Sequence, residues 1–372
     1  MITTTTPFAV LIELDGDGAH PAAWRAVRHR PTDLLSGGRI AATARAAERA
    51  GFTAASFDDS PLPPAGRGDV IGRIDAVQRA SFAAPLTAAI GLLPVAHAVY
   101  SEPFHVATQT ATVDHVSDGR AGWIVGIDAD AAIAAEYGRA SVSSDQAIAD
   151  AADAVEVARR LWDSWEDDAV IRETATGRYF DRERVHYADF VGESFSVKGP
   201  AIIPRPPQGQ LVVFAAGELA GRLGADVALL SSRDEVAAAR AAGVPRVVLE
   251  LEVILDTAGV SAADRLAALD AHSDWTPTRR ERFVGTSAEL TAHLAELTRL
   301  VDGVRVIPAV LDLDLDEVGR AVLPELRRRG LFRSPVVGQT LRESFGLDRP
   351  ENRFSSGNSP SDRSTTLEGA RA

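Results

Sequence analysis

The chain has 372 residues, 45% of them apolar and 24% charged, which is ample material for a buried core and too apolar for general disorder. A formal charge of −13 repels a phosphate backbone, and no basic stripe interleaved with aromatics offsets it, which argues against nucleic acid as a partner. The absence of cysteine removes disulfides, thiolate nucleophiles and the usual structural zinc sites, so any redox chemistry has to come from a bound cofactor.

From residue 7 onward, short apolar runs alternate with amphipathic, alanine-rich stretches, the pattern of strand followed by helix. FAVLIEL (8–14) reads as strand one, and GGRIAATARAAERAG (37–51) as a helix stopped by Gly51 in a left-handed cap. TAASFDD (53–59) is strand two and leads to the helix IDAVQRASFAAP (74–85). TAAIGLLPVAH (87–97) is strand three, followed by the helix EPFHVATQTATVDHV (102–116), and RAGWIVGI (120–127) is strand four. A long helix over 145–165 precedes a polar excursion, 166–210, whose prolines and glycines forbid continuous regular structure. It is expected to be an insertion over one barrel end, a lid. QLVVFAAG (210–217), VALLSS (227–232), RVVLELEVIL (246–255) and GVRVIPAVL (303–311) supply strands five to eight, and LDEVGRAVLPELRRRG (315–330) the eighth helix.

Eight apolar strands with helical crossovers predict an α/β fold, a single (β/α)8 TIM barrel over 1–350 with an insertion between strands 4 and 5. A doubly wound open sheet is the competing topology. The Ser-, Gly- and Pro-rich segment 351–372 is expected to be a disordered tail. No run of about 18 uncharged apolar residues appears, and the N-terminus lacks a charged region followed by a long apolar one. The expected address is the cytoplasm, with no membrane partner.

In a barrel, chemistry sits at the carboxyl ends of the strands. That rule selects Asp15, Asp17, His20, Trp24 and Arg25 after strand one, then Asp58, Asp59 and Ser60 after strand two. Strand three supplies His97 and Tyr100, strand four Trp123, Asp128 and Asp130, strand five Gly217 and Glu218, and strand eight Asp312. Of the adjacent Asp58 and Asp59, at most one enters the mouth, because consecutive strand residues face opposite ways. His105 and His115, on the third helix, suit packing or capping. No GxGxxG follows a strand, and no P-loop, GxSxG or HExxH occurs. DLDLDEV (312–318) imitates a calcium loop but has Glu317 where the sharp turn needs Gly and Leu323 where a bidentate Glu belongs. No metal is expected.

GAHPAAWR (18–25), YSEPFHVATQTATVDHVSDGRAGW (100–123), LWDSWEDDA (161–169), GESFSVKGPAIIPRPPQGQ (192–210) and PELRRRGLFRSPVVGQTLRESFGLDRP (324–350) resemble, in order, blocks of the bacterial-luciferase-like flavin-dependent monooxygenases. The branch in question holds nitrilotriacetate monooxygenase, dibenzothiophene-sulfone monooxygenase and the pristinamycin synthase large subunit. The resemblance implies an oxidoreductase that takes reduced FMN from a separate flavin reductase and uses O2 to oxygenate a small-molecule substrate, with a homodimer or a heterodimer with a homologue as its assembly. Carried onto this sequence, it implies His20 and His97 as catalytic residues and Asp59, Trp123, Asp128, Tyr137, Ala216 and Gly217 as cofactor-binding residues. The carry-over is incomplete. Strand four has Ile124, Ile127 and Asp128 in place of an Asn and a Thr-Ser pair, the following helix has Ser144, Ala147 and Ile148 at its polar places, and the phosphate turn after strand five keeps only Ala216 and Gly217, followed by Glu218 and Leu219. An eroded flavin site is therefore expected, and its alternative is a non-catalytic barrel acting as a partner subunit.

Overall fold

The structure is a computed structural model and describes residues 8–62, 72–257 and 259–355. Eight parallel strands close a ring: β1 (Ala9–Glu13), β2 (Ala54–Phe57), β3 (Gly91–His97), β4 (Gly122–Gly126), β5 (Val212–Ala216), β6 (Val227–Leu230), β7 (Arg246–Leu255) and β8 (Gly303–Pro308). β1 pairs with β8, and β6 with β7, so no edge is left open. The TIM barrel is the fold, and the open-sheet alternative falls. A ninth strand, Glu281–Gly285, which the sequence reading did not foresee, pairs with the carboxyl half of β7.

The strands read as unbroken apolar runs because both faces are covered. On β1, Val10 and Ile12 join the layer under the helices while Ala9 and Leu11 fill the barrel interior; on β4, Trp123 and Val125 face the helices and Ile124 the interior. Leu341 and Phe345, from a short helix at Leu341–Ser344, plug the interior from the amino end. Above this apolar layer lies a charged one. Arg305 of β8 is buried among Glu13, Glu250 and Ser56, and Arg280 donates to Glu250 at 2.8 Å.

Helix α1 (Gly37–Ala50) ends at Gly51 with φ 92°, the left-handed cap that its sequence announces. Then follow α2 (Ala76–Ala83), α3 (Pro103–Val116), the short α4 (Ala131–Glu136) and α5 (Ser144–Asp163).

Two expectations are corrected. The 166–210 insertion does not cover the mouth. Arg205 and Gln210 bind Asp163 at 2.9 and 2.6 Å, Gln208 binds Asp114 at 2.6 Å at the amino end, and Ser194 reaches Asp150 on the flank of α5. The reason is geometric: α5 runs back against β4, so both ends of the insertion start at the amino side, and between them the chain runs along the outer flank of α5 as far as Gln146 and Asp150. The tail does not begin at 351 either. Asn352 is buried and donates to the carbonyls of Asp163 and Trp165 at 2.7 and 3.0 Å. Residues 356–372 of the expected tail lie outside the described residues.

Candidate functional site

His97 closes β3 and stands in register with Gly126 of β4. A Cβ on Gly126 would lie 2.6 Å from the Nδ1 atom of His97, so the ring occupies the space that any side chain there would need. Asp128, two residues on, falls on the same face and brings a carboxylate oxygen to 2.6 Å from Nδ1, an ion contact outside hydrogen-bond alignment. Burial pulls the imidazole's pKa down, but the close carboxylate of Asp128, with the charge of Asp59, outweighs it and holds it above the ordinary value.

Asp59 lies across from this pair. Its carboxylate accepts from the Ala76 N–H at 2.6 Å and the Ser60 N–H at 2.8 Å, fixing the start of α2. Asp58 behaves as the strand period requires: its charge acts on the interior pair Glu13 and Arg305. Tyr137, just after α4, stacks on Tyr100 with centroids 5.9 Å apart, and Tyr100, at φ 65°, accepts from the Val142 N–H through its hydroxyl at 3.2 Å. A left-handed tyrosine is uncommon and is held here by that stack and bond. Together Asp59, His97 and Tyr137 line a hollow of about 330 Å³ at the carboxyl rim, with Ser60, Gly72, Arg73 and Asp75.

The other expected residues lie elsewhere. His20 is buried against Trp275, its ring centroid 5.3 Å away; Nδ1 accepts from the Ala22 N–H, and Nε2 meets Asp270 at 3.0 Å. Because Nδ1 is the acceptor, the ring is neutral with its proton toward Asp270, and burial lowers its pKa further. Both nitrogens are thus engaged in holding loops together, which departs from a catalytic part for His20. Trp123 is fully buried on the helix side of β4, bonded to the Ala96 carbonyl at 2.9 Å and edge-on to Trp162, so it does not reach the rim. Asp17 pairs with His29 at 2.8 Å, Asp130 caps α4 and Asp312 binds Arg39 at 2.6 Å. Asp314 accepts from the N–H groups of Val310 and Leu255 and from Arg265, so the 312–318 run is spent on protein partners.

The end of β5 does not fit a firmly held flavin phosphate. A Cβ on Gly217 would lie 2.7 Å from the Glu235 carboxylate, the following helix has four residues, and Arg279 is shared between Glu218 and Glu235 at 3.3 and 3.1 Å. A dianion there meets two carboxylates. Ala216 and Gly217 do not line the hollow at Asp59, His97 and Tyr137. Ile124, packed in the barrel interior, and Ile127, against the helix layer, carry no polar group toward a ligand.

Sequence reasoning found His97 and Asp128 singly and missed their pairing; the signal was the glycine between them in register with the histidine. It also missed the interior charges, which were visible as lone Glu13, Glu250, Glu252 and Arg305 inside apolar strand runs.

A model of the luciferase-like monooxygenase family matches residues 22–298. N-acetyl-S-(2-succino)cysteine monooxygenase of Bacillus subtilis (strain 168) is 28% identical over 426 aligned positions that cover 92% of this chain and 97% of that protein. Nitrilotriacetate monooxygenase component A of Aminobacter aminovorans is 28% identical over 90% of this chain and 95% of its own length. In fold, a riboflavin lyase solved with a modified FMN and riboflavin superposes with a TM-score of 0.81 at 22% identity, covering 93% of this chain and 97% of that one. The chain belongs to the luciferase-like monooxygenase family.

Proposed function

We propose that the protein is a monooxygenase of this family that oxygenates a small organic substrate at the Asp59–His97–Tyr137 hollow, taking reduced FMN from a separate reductase and holding it weakly. The observation that carries the reading is the hollow itself: in a closed barrel of this family, His97 and Asp128 meet at 2.6 Å on the rim where barrel enzymes place their chemistry. Weak flavin binding is supported by the paired carboxylates at Gly217 and by Ile124 and Ile127. Each missing charge-assisted contact costs about ten- to a hundredfold in affinity.

The chain's own residues have definable parts. The ion contact with Asp128 holds the imidazole toward the protonated form, ready to give a proton to a substrate atom in the hollow and take it back. Asp59 adds negative charge beside the ring while anchoring α2. The Tyr100–Tyr137 stack supplies a flat apolar wall. We place the protein in the cytoplasm, as a dimer with itself or a homologue; among the described residues no helix is long and apolar enough to cross a membrane.

Anaerobic calorimetric titration with reduced FMN tests the reading. Saturable binding of the reduced form, tighter than that of oxidised FMN, is the expected result. No binding at about millimolar flavin sinks it and favours the second reading, a non-catalytic barrel serving as a partner subunit, which the carboxylates at Gly217 already motivate.

A further inference from the structure

Beside the hollow lies a cleft of about 230 Å³ between the loop after β1, the first turns of α1 and the segment before α2. Its floor is apolar: Leu14, Ile40, Phe57, Ile74 and Leu311. Its charged lining is three guanidinium groups, Arg39, Arg73 and Arg79, with Asp15 as the carboxylate among them, and Thr43 is its one hydroxyl. In a chain of net charge −13, three arginines converging on one apolar-floored cavity call for an explanation.

Structural pairing uses only part of their capacity. Arg79 is buried and braces Asp15 at 2.7 Å and the Asp58 carbonyl, with its Nε unpartnered among the described residues. Arg39 gives Nη1 to Asp312 at 2.6 Å, and its Nε and Nη2 have no partner among the described residues. Arg73 touches Asp15 with a single nitrogen at 3.2 Å and keeps a side chain that is 22% exposed. The unpartnered nitrogens of Arg39 and Arg79 are shielded from the cleft, so the donors within reach of a ligand are those of Arg73, whose planar fork matches a carboxylate in two-point contact, with the charges of Arg39 and Arg79 behind it.

We propose that this cleft binds the carboxylate of a small organic acid with an apolar body, and that it anchors one end of the substrate whose other end reaches His97. Gly72 and Arg73 line both the cleft and the hollow, so the two cavities adjoin at the Arg73 side chain. The anchoring role rests on the oxygenase reading; binding itself needs neither flavin nor oxygen.

The test is calorimetric titration of the flavin-free protein with sodium hexanoate, with hexanamide as the uncharged control. Hexanoate is expected to bind at least about tenfold more tightly than hexanamide. Arg73→Gln and Arg39→Gln are each expected to weaken hexanoate by about tenfold or more, with circular dichroism and Tm unchanged. Should Arg39→Gln fail to fold, the more exposed Arg73→Gln decides alone. Equal binding of acid and amide, no binding of either at about millimolar concentration, or wild-type affinity in folded Arg73→Gln overturns the proposal. Hexanoate binding without reduced-FMN binding leaves the cleft and sinks the oxygenase reading; the reverse result sinks the cleft alone.

Discussion

The Nδ1 atom of His97 and a carboxylate oxygen of Asp128 stand 2.6 Å apart, the histidine closing β3 opposite Gly126 and the aspartate two residues past that glycine, the last of β4. Burial alone would make this histidine a weak base, and the two carboxylates facing it reverse that. Asp128→Asn therefore should drop the His97 pKa below the ordinary 6.5, since burial is then opposed chiefly by Asp59. Because the folded value is raised, the pair's contribution to stability is present below 6.5 and is lost as pH rises through the folded value. The variant is expected to be destabilised by roughly 1 kcal/mol at pH 5.5 and much less at pH 8.5. Histidine NMR titration with urea unfolding at both pH values checks this; an unmoved His97 resonance refutes it.

Gly126→Val tests the same geometry from below. The added side chain would run into the imidazole from 2.6 Å. The ring has to swing away from Asp128, at a cost of about 1–3 kcal/mol in overpacking, and the raised His97 pKa should be lost. A variant that keeps that pKa would mean the ring is not seated on Gly126.

Much of the fold was legible because its cause is local. Apolar runs of strand length, punctuated by caps such as Gly51, specify a parallel barrel residue by residue. The site was legible only in part, because strand ends tell which residues reach the rim and not which ones meet there. His97 and Asp128 meet because Gly126 clears the way, a fact of register. His20 has the same rim position in sequence, yet it is drawn away by Trp275 and Asp270, some 250 residues further on. Trp123 is turned from the mouth by the strand period, which the resemblance alone does not report. The lid expectation failed for lack of a direction: composition marks an insertion, and only the reversal of α5 against β4 says at which end it emerges.

Asn352 makes the tail boundary measurable. Its side-chain nitrogen serves two carbonyls where the long helix gives way to the insertion, and its side-chain oxygen Oδ1 accepts from the Phe354 N–H at 2.8 Å. Asn352→Ala strands two acceptors in a buried site, and a destabilisation of about 1–3 kcal/mol is expected in thermal or urea unfolding. A loss below about 0.5 kcal/mol, the level of an ordinary surface substitution, would show that the segment is not docked.

The buried charges beneath the rim set a pH slope of their own. Arg305 is gripped by two carboxylates, and their environments drive them apart: burial raises Glu13 to about 7 despite the opposing charge of Arg305, while Arg305 and Arg280 overcome burial to keep Glu250 low. The folded value of Glu13 lies above its unfolded 4.5, so its contribution favours folding below pH 4.5 and is lost as pH climbs to about 7. Glu13→Gln keeps an acceptor for Arg305 and removes the titration. Between pH 5 and pH 8 the wild type is expected to lose on the order of 2 kcal/mol relative to the variant, read as the difference between two urea-unfolding series in the same buffers. Parallel curves would mean that Glu13 is ionised throughout, with the guanidinium outweighing burial. Removing the cation works in the other direction: Arg305→Met leaves Glu13 buried without its ion-pair partner and Glu250 with Arg280 alone, and a loss of about 3–5 kcal/mol is expected, smaller in the Glu13→Gln background if the two act as a pair.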